Sequence, residues 1–159
     1  MARKDITMTP DEVLAFLEEP RTIQVATIGR DGSPHVAPMW YFVHEGKVAF
    51  RSFTKSQKIV NLKRDPRVTL LAEEGKTYAE LRGVLIKGEA RFVDDPAVIL
   101  DWYGTLAGRY AFFGGEPTPD LDPNALDQAF GRFAAKNTGV IVEPIKVISW
   151  DHTKLGGAY

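Results

Sequence analysis

Three segments rich in β-branched and aromatic residues, Thr22–Ile28, His35–Val43 and Val48–Ser52, follow one another with only short turns between them. A parallel pairing needs a crossover of a dozen residues or more, and neither Gly29-Arg30-Asp31-Gly32 nor Glu45-Gly46 leaves room for one. The sequence therefore predicts an antiparallel meander. Farther along, Arg67–Ala72 and Tyr78–Val93 read as strands, the second carrying Gly83 and Gly88 where a sheet would bend. Gly139–Trp150 reads as the last strand, with Pro144 at an edge or a bulge. The expected fold class is mainly β: six antiparallel strands curved towards a barrel, in a single domain over residues 1–159.

Helices sit at the periphery of this pattern. Thr9, Pro10 and Glu12 have the spacing of a capping box with proline at the first helical position; Val13, Phe16 and Leu17 form one apolar face, and Pro20 closes the segment. Lys55–Asp65 reads as a helix ended by Pro66. Asp95-Pro96 starts another, whose stripe Ile99, Trp102, Tyr103, Leu106 and Tyr110 recurs at helical spacing. Phe112–Pro123 reads as a surface loop, and Leu126, Ala129, Phe130 and Phe133 mark one face of a last helix.

Composition removes several functions. With no cysteine among 159 residues there is no disulfide, no thiolate-bound metal and no thiol nucleophile, which suits a reducing compartment. The charged start shows no secretory signal, and no run approaches the roughly 20 apolar residues of a membrane span, so a cytoplasmic protein is expected. A formal charge of −1 argues against a general nucleic-acid binder. His35, His44 and His152 lack metal-ligand spacing, Asp31, Ser33 and His35 do not form a triad, and Gly114-Gly115 lacks a dinucleotide fingerprint, so no metal is expected. No general acid or base stands out, and the catalytic residue is unassigned.

The charge is unevenly spread. Arg51, Lys55, Lys58, Lys63, Arg64 and Arg67 face a single acid, Asp65, so residues 51–67 carry +5 and the remainder −6. Ser52, Thr54 and Ser56 are interleaved where a strand gives way to a helix, and a helix N-terminus favours an anion. The ordinary alternative is a solvated helix. Helical geometry leaves Lys63, Arg64 and Arg67 on the surface, puts Lys58 at the margin of the apolar face, and makes Arg51 and Lys58 the phosphate candidates, ahead of Lys55. The second anomaly is Pro38-Met39-Trp40 inside a strand, where proline removes a ladder donor. A flat apolar ligand stacked there explains it; so does plain alternation of core and surface residues with Pro38 on an edge.

Val36-Ala37-Pro38-Met39-Trp40-Tyr41, then Phe50 to Leu62, then Arg64-Asp65-Pro66-Arg67-Val68, together resemble the flavin-binding split β-barrel superfamily of pyridoxamine 5′-phosphate oxidases. The tail Trp150-Asp151-His152-Thr153-Lys154-Leu155-Gly156 is more similar to the deazaflavin-dependent reductases, which use coenzyme F420. The resemblance implies a split β-barrel and a homodimer with two cofactor sites at its interface. It implies that Val36 to Tyr41 (Val36, Pro38, Met39 and Trp40 among them) runs beside the tricyclic ring, and that Arg51, Ser52, Thr54, Gln57 and Lys58 hold the phosphate. Glu80, at the start of the long fifth strand, would reach the ring from the other subunit. Gln57 stands where the oxidases usually carry Arg, Glu80 where they carry Gln, and their Arg- and His-bearing C-terminal segment is missing, which weakens a vitamin B6 oxidase activity.

The function expected is an oxidoreductase that passes hydride from reduced F420 to an unsaturated, hydrophobic small molecule. The alternatives are an FMN-dependent oxidoreductase on the same site, or a carrier that binds a flavin, a haem or a similar planar molecule without turnover.

Overall fold

The computed structural model describes residues 5–19 and 21–157. Pro20, expected to close the first helix, lies outside the described residues, as do the first four positions. The elements in chain order are α1 (Pro10–Glu18), β1 (Thr22–Ile28), β2 (Pro34–Trp40), β3 (Phe42–His44), β4 (Lys47–Phe53), α2 (Gln57–Arg64), β5 (Arg67–Glu74), β6 (Arg82–Val93), α3 (Pro96–Ala107), α4 (Pro123–Ala134) and β7 (Asn137–Asp151). Short 3-10 turns occupy Tyr78–Glu80 and His152–Leu155. Among the described residues, no helix is long and apolar enough to cross a membrane.

All strands pair antiparallel in one seven-stranded sheet of order β2-β1-β5-β6-β7-β4-β3. The sequence predicted six, and the difference is one residue. Tyr41 breaks the second strand because its backbone turns to a side chain: its N–H donates to the Tyr110 hydroxyl (3.3 Å), which lies 3.0 Å from the Tyr41 carbonyl. The half before the break pairs with β1 and the half after it with β4, so the first three strands are not a continuous meander. β2 and β3 are the two edges of the sheet, yet their ends flank one residue, and two Cα atoms so placed are within about 7 Å. The sheet must curl until its edges meet. Past that junction β2 pairs only with β1 and the end of β4 only with β7, leaving two free edges with an opening between them. This is the split of a split barrel.

Alternation along each strand sorts two cores. Val48, Phe50, Val140 and Val142 point into the barrel with Ile23, Val25, Leu70 and Tyr41, closed by Phe16 and Leu17 of α1 and Ile59 and Leu62 of α2. Ala49 and Ile141 point outward, under Ile99, Trp102 and Leu106 of α3 and Phe130 of α4. The predicted stripe of the third helix is buried throughout. A Cβ on Gly139 would lie 2.5 Å from the Trp102 ring. Gly139→Val is therefore expected to destabilise the fold by about 1–3 kcal/mol in urea unfolding, the range for overpacking.

Pro144 sits at a bulge, as its place in the sequence suggested. Lys87 pairs with Lys146 but Gly88 with Pro144, so Ile145 is the extra residue. A Cβ on Gly88 would stand 2.3 Å from the Glu143 carbonyl oxygen, so the bulge needs glycine there.

Tyr41 carries a second consequence. Its hydroxyl is buried without a hydrogen-bond partner among the described residues, and burial pushes its pKa up to about 12. A pKa raised in the folded state gives stability that is complete below the unfolded value near 10 and lost as the pH climbs through 12. Tyr41→Phe is expected to leave neutral-pH stability unchanged or higher, and to flatten the alkaline limb of a stability–pH profile.

Candidate functional site at the barrel opening

β2 is an edge strand, which is where a strand proline is tolerated. Val36, Pro38 and Trp40 alternate outward and are exposed, while Met39 packs towards the barrel core. Trp40 is held flat: it stacks on Tyr110 with ring centroids 4.8 Å apart and 6° between planes, and Phe112 meets it edge-on at 4.8 Å. A cleft of about 370 Å³ lies there, lined by Thr22, Pro38, Met39, Trp40, Arg51 and Leu106. It spans the opening, since Pro38–Trp40 belong to one free edge and Arg51 to the other.

At the end of β4 the chain turns into α2. Ser52 is buried, with its hydroxyl oxygen 3.0 Å from that of Ser56 and accepting from the Lys58 ammonium at 3.4 Å. No carboxylate pairs with Lys58 among the described residues, and burial lowers its pKa, the mark of a cation partly stripped of water without an acid to compensate. Ser56, the N-cap of α2, makes no side-chain cap bond, and the N–H groups of Gln57, Lys58 and Ile59 have no backbone acceptor among the described residues. Orphan donors, a desolvated ammonium and two hydroxyls thus meet at one helix N-terminus, the chemistry that takes a phosphate.

A second cavity, of about 490 Å³, opens between this end of α2 and the β1–β2 hairpin; Pro34, His35, Gln57 and Asn61 are among its walls. Gln57 donates to the Asn61 side-chain oxygen (2.8 Å), and Asn61, fully buried, donates to the Thr27 hydroxyl (3.1 Å), which ties α2 to β1. The His35 Nδ1 is buried with no partner. Pro34 and Pro38 are four residues apart on β2, roughly 13 Å at the rise of a strand. The two cavities therefore border the two ends of one free strand edge.

Residues 9–126 match the family described as pyridoxamine 5′-phosphate oxidase. The chain belongs to that family. A conserved hypothetical protein from Mycobacterium tuberculosis is similar to it in structure, with a TM-score of 0.85 and 38% identity over 100% of this chain and 94% of that one. An F420 reductase shares 26% identity at a TM-score of 0.63, covering 84% of this chain and 93% of its own. A FAD-binding protein from Mesorhizobium loti, 18% identical over 90% of this chain and 94% of that one, has the same fold at a TM-score of 0.65. No curated protein matches.

As a member of the oxidase family the chain has its site residues in an uneven arrangement. Ser52 and Lys58 are together at the α2 end, with Gln57 beside them; Val36, Pro38, Met39 and Trp40 line up along β2. Arg51 does not join the phosphate candidates. Adjacent residues of a strand point to opposite faces, and Arg51 turns outward onto the Tyr103 ring, 4.0 Å from its centroid. The Thr54 hydroxyl is 3.0 Å from that of Thr138, which itself donates to Asp94 at 2.9 Å, so Thr54 spends its proton on the β4–β7 seam. Glu80 is exposed in the 3-10 turn before β6, not in a strand, and its carboxylate accepts from the Thr77 N–H at 3.2 Å. Within one subunit it lines neither cavity. Sequence reasoning overlooked Tyr103 and Phe112: the first is indistinguishable from a core residue at helical spacing, the second sits in a stretch that reads as loop.

A phosphate-bearing flavin or deazaflavin fits these groups. The three free N–H donors and the unpaired Lys58 call for an anion at one end, and the exposed edge with Trp40 offers a flat apolar surface at the other.

Proposed function

We propose that this protein is an oxidoreductase of the deazaflavin branch, which uses reduced coenzyme F420 to deliver hydride to an unsaturated organic molecule. The observation that carries this is the desolvated, acid-free Lys58 with Ser52 and Ser56 at the start of α2, whose Gln57 shares a cavity with the Pro34 end of the same β2 edge that carries Pro38 and Trp40. In this reading Ser52, Ser56, Lys58 and the first-turn N–H groups hold the phosphate, Gln57 flanks them, and Val36, Pro38, Met39 and Trp40 lie along the ring. The bound cofactor supplies a hydride at a ring carbon; the chain supplies anchorage, orientation and exclusion of water. The Tyr110 hydroxyl is committed to backbone groups and that of Tyr41 is buried, so neither supplies the proton that completes reduction.

The reading includes a homodimer. Val36, Ile145 and Ile148 are 57%, 73% and 41% exposed, more apolar surface than a lone sheet gains from leaving in water. A second copy on that face would bring the partner's Glu80 towards the ring. A cytoplasmic location accords with the absence of cysteine.

The test is anaerobic oxidation of reduced F420 by the purified protein across a panel of enones and quinones. Turnover with at least one acceptor supports the proposal. A protein that carries a tightly held flavin and turns over only with FMN selects the FMN-dependent alternative, and tight binding without any turnover selects a carrier.

A further inference from the structure

Among the described arginines, those other than Arg51 that pack against the fold are met by carboxylate or carbonyl oxygens, although one nitrogen of Arg21 is also buried without a partner among the described residues. Arg21 pairs with Glu19 and Glu74, Arg64 donates to the Ile28 carbonyl, and Arg109 donates to three carbonyls at the end of α1. Arg51 is different. Among the described residues its Nε is buried without an acceptor, its one polar contact is a 3.5 Å approach to the Asn137 side-chain oxygen, and no acid forms an ion pair with it. The guanidinium instead lies over Tyr103 (4.0 Å) and near Phe112 (5.6 Å). Burial pulls its pKa down, but an arginine stays charged, so the desolvated cation is a standing cost unless an anion is brought to it. The cofactor phosphate is not that anion in the arrangement above, because Ser52 and Lys58 lie on the other face of β4. What Arg51 does border is the 370 Å³ cleft, whose remaining walls, Thr22, Pro38, Met39, Trp40 and Leu106, carry no charge.

We propose that this cleft is the seat of a second ligand, a planar unsaturated carboxylate, with its anionic end on the Arg51 fork and its flat body beside Trp40, which Phe112 braces. A guanidinium presents two parallel N–H donors that match a carboxylate, and an edge of stacked rings matches a conjugated plane. Phe112 touches both Trp40 and Arg51, so it fixes the angle between the charged and the flat part of the site. Calling this ligand the substrate rests on the function proposed above; the binding itself does not.

The experiment titrates the purified, cofactor-free protein with 2-naphthoate and with its neutral analogue 2-naphthamide, by calorimetry and by tryptophan fluorescence. The expected result is binding of 2-naphthoate at least tenfold tighter than 2-naphthamide, weakened by salt, and reduced at least tenfold in Arg51→Met, which keeps the stem over Tyr103. Arg51→Lys, which keeps the charge but not the fork, should fall between and covers the case in which Arg51→Met does not fold. Lys58→Met should leave 2-naphthoate affinity unchanged. Equal affinity for the two probes, or no effect of either Arg51 substitution, overturns the proposal. So does a loss of F420 or FMN affinity in the Arg51 variants as large as in Lys58→Met, since it puts Arg51 on the cofactor. Arg51-dependent binding of 2-naphthoate by a protein that binds neither cofactor leaves the anion site standing and removes the proposed function.

Discussion

Arg109→Ala is expected to destabilise the fold by about 3 kcal/mol, the scale of several hydrogen bonds from one charged donor. The reason lies some ninety residues away, at the end of α1. That helix has no basic residue in its last turn and ends at Glu19 in an extended conformation, with no glycine to fold its carbonyls back. Arg109 supplies what is missing: its guanidinium donates to the carbonyls of Leu17 (2.7 Å), Glu18 (2.6 Å) and Glu19 (2.9 Å), and its charge sits at the negative end of the helix dipole. Its Nε also donates to the Tyr110 hydroxyl at 3.2 Å, the group that satisfies Tyr41 where the second strand breaks. One side chain thus caps a helix and steadies the residue around which the barrel closes. Urea unfolding checks the size of the effect, and Arg109→Ala combined with Tyr110→Phe should lose less than the sum of the two singles, because they share a network. Additive losses would show that the cap and the strand break are independent.

Lys58→Met is expected to weaken cofactor binding by about 1–3 kcal/mol, roughly 5- to 150-fold, with little change in stability. The ammonium has only the Ser52 hydroxyl for company and is partly stripped of water, so removing its charge relieves a cost in the free protein and removes a charge-assisted bond in the complex. Methionine keeps most of the stem, which separates loss of charge from loss of packing. Raising the salt concentration should narrow the gap between the two proteins. Fluorescence titration of each with F420 and with FMN measures it.

What was legible in the sequence follows from the range of the interactions involved. The capping box of Thr9 and Glu12, the N-cap at Asp95, the bulge at Pro144 and the hydroxyl- and lysine-bearing start of α2 are written in neighbouring residues, and the chain forms them where expected. The break at Tyr41 is not local: Tyr110 makes it from just beyond α3, so His35–Val43 reads as one strand. Glu80 reads as the head of a strand although Thr77 and Glu80 have capping-box spacing, because the turn they open is only three residues long and no apolar helical stripe follows it. The basic, hydroxyl-bearing run and the family resemblance put Arg51 and Ser52 on one phosphate, but neighbours on a strand point to opposite faces, and only the place of α3 decides what each face meets. Phe112 joined the site by packing against Trp40, which no pattern within its own loop foretells.

The central claim is that the corner formed by Ser52, Ser56, Lys58 and the start of α2 holds the phosphate of a planar redox cofactor. Parallel titrations of the wild-type protein and Lys58→Met with F420 and FMN test it most directly. The account predicts saturable binding of at least one of them, tighter for F420, with the affinity falling at least fivefold on loss of the lysine charge. Binding of neither, or binding that is indifferent to Lys58, would contradict it.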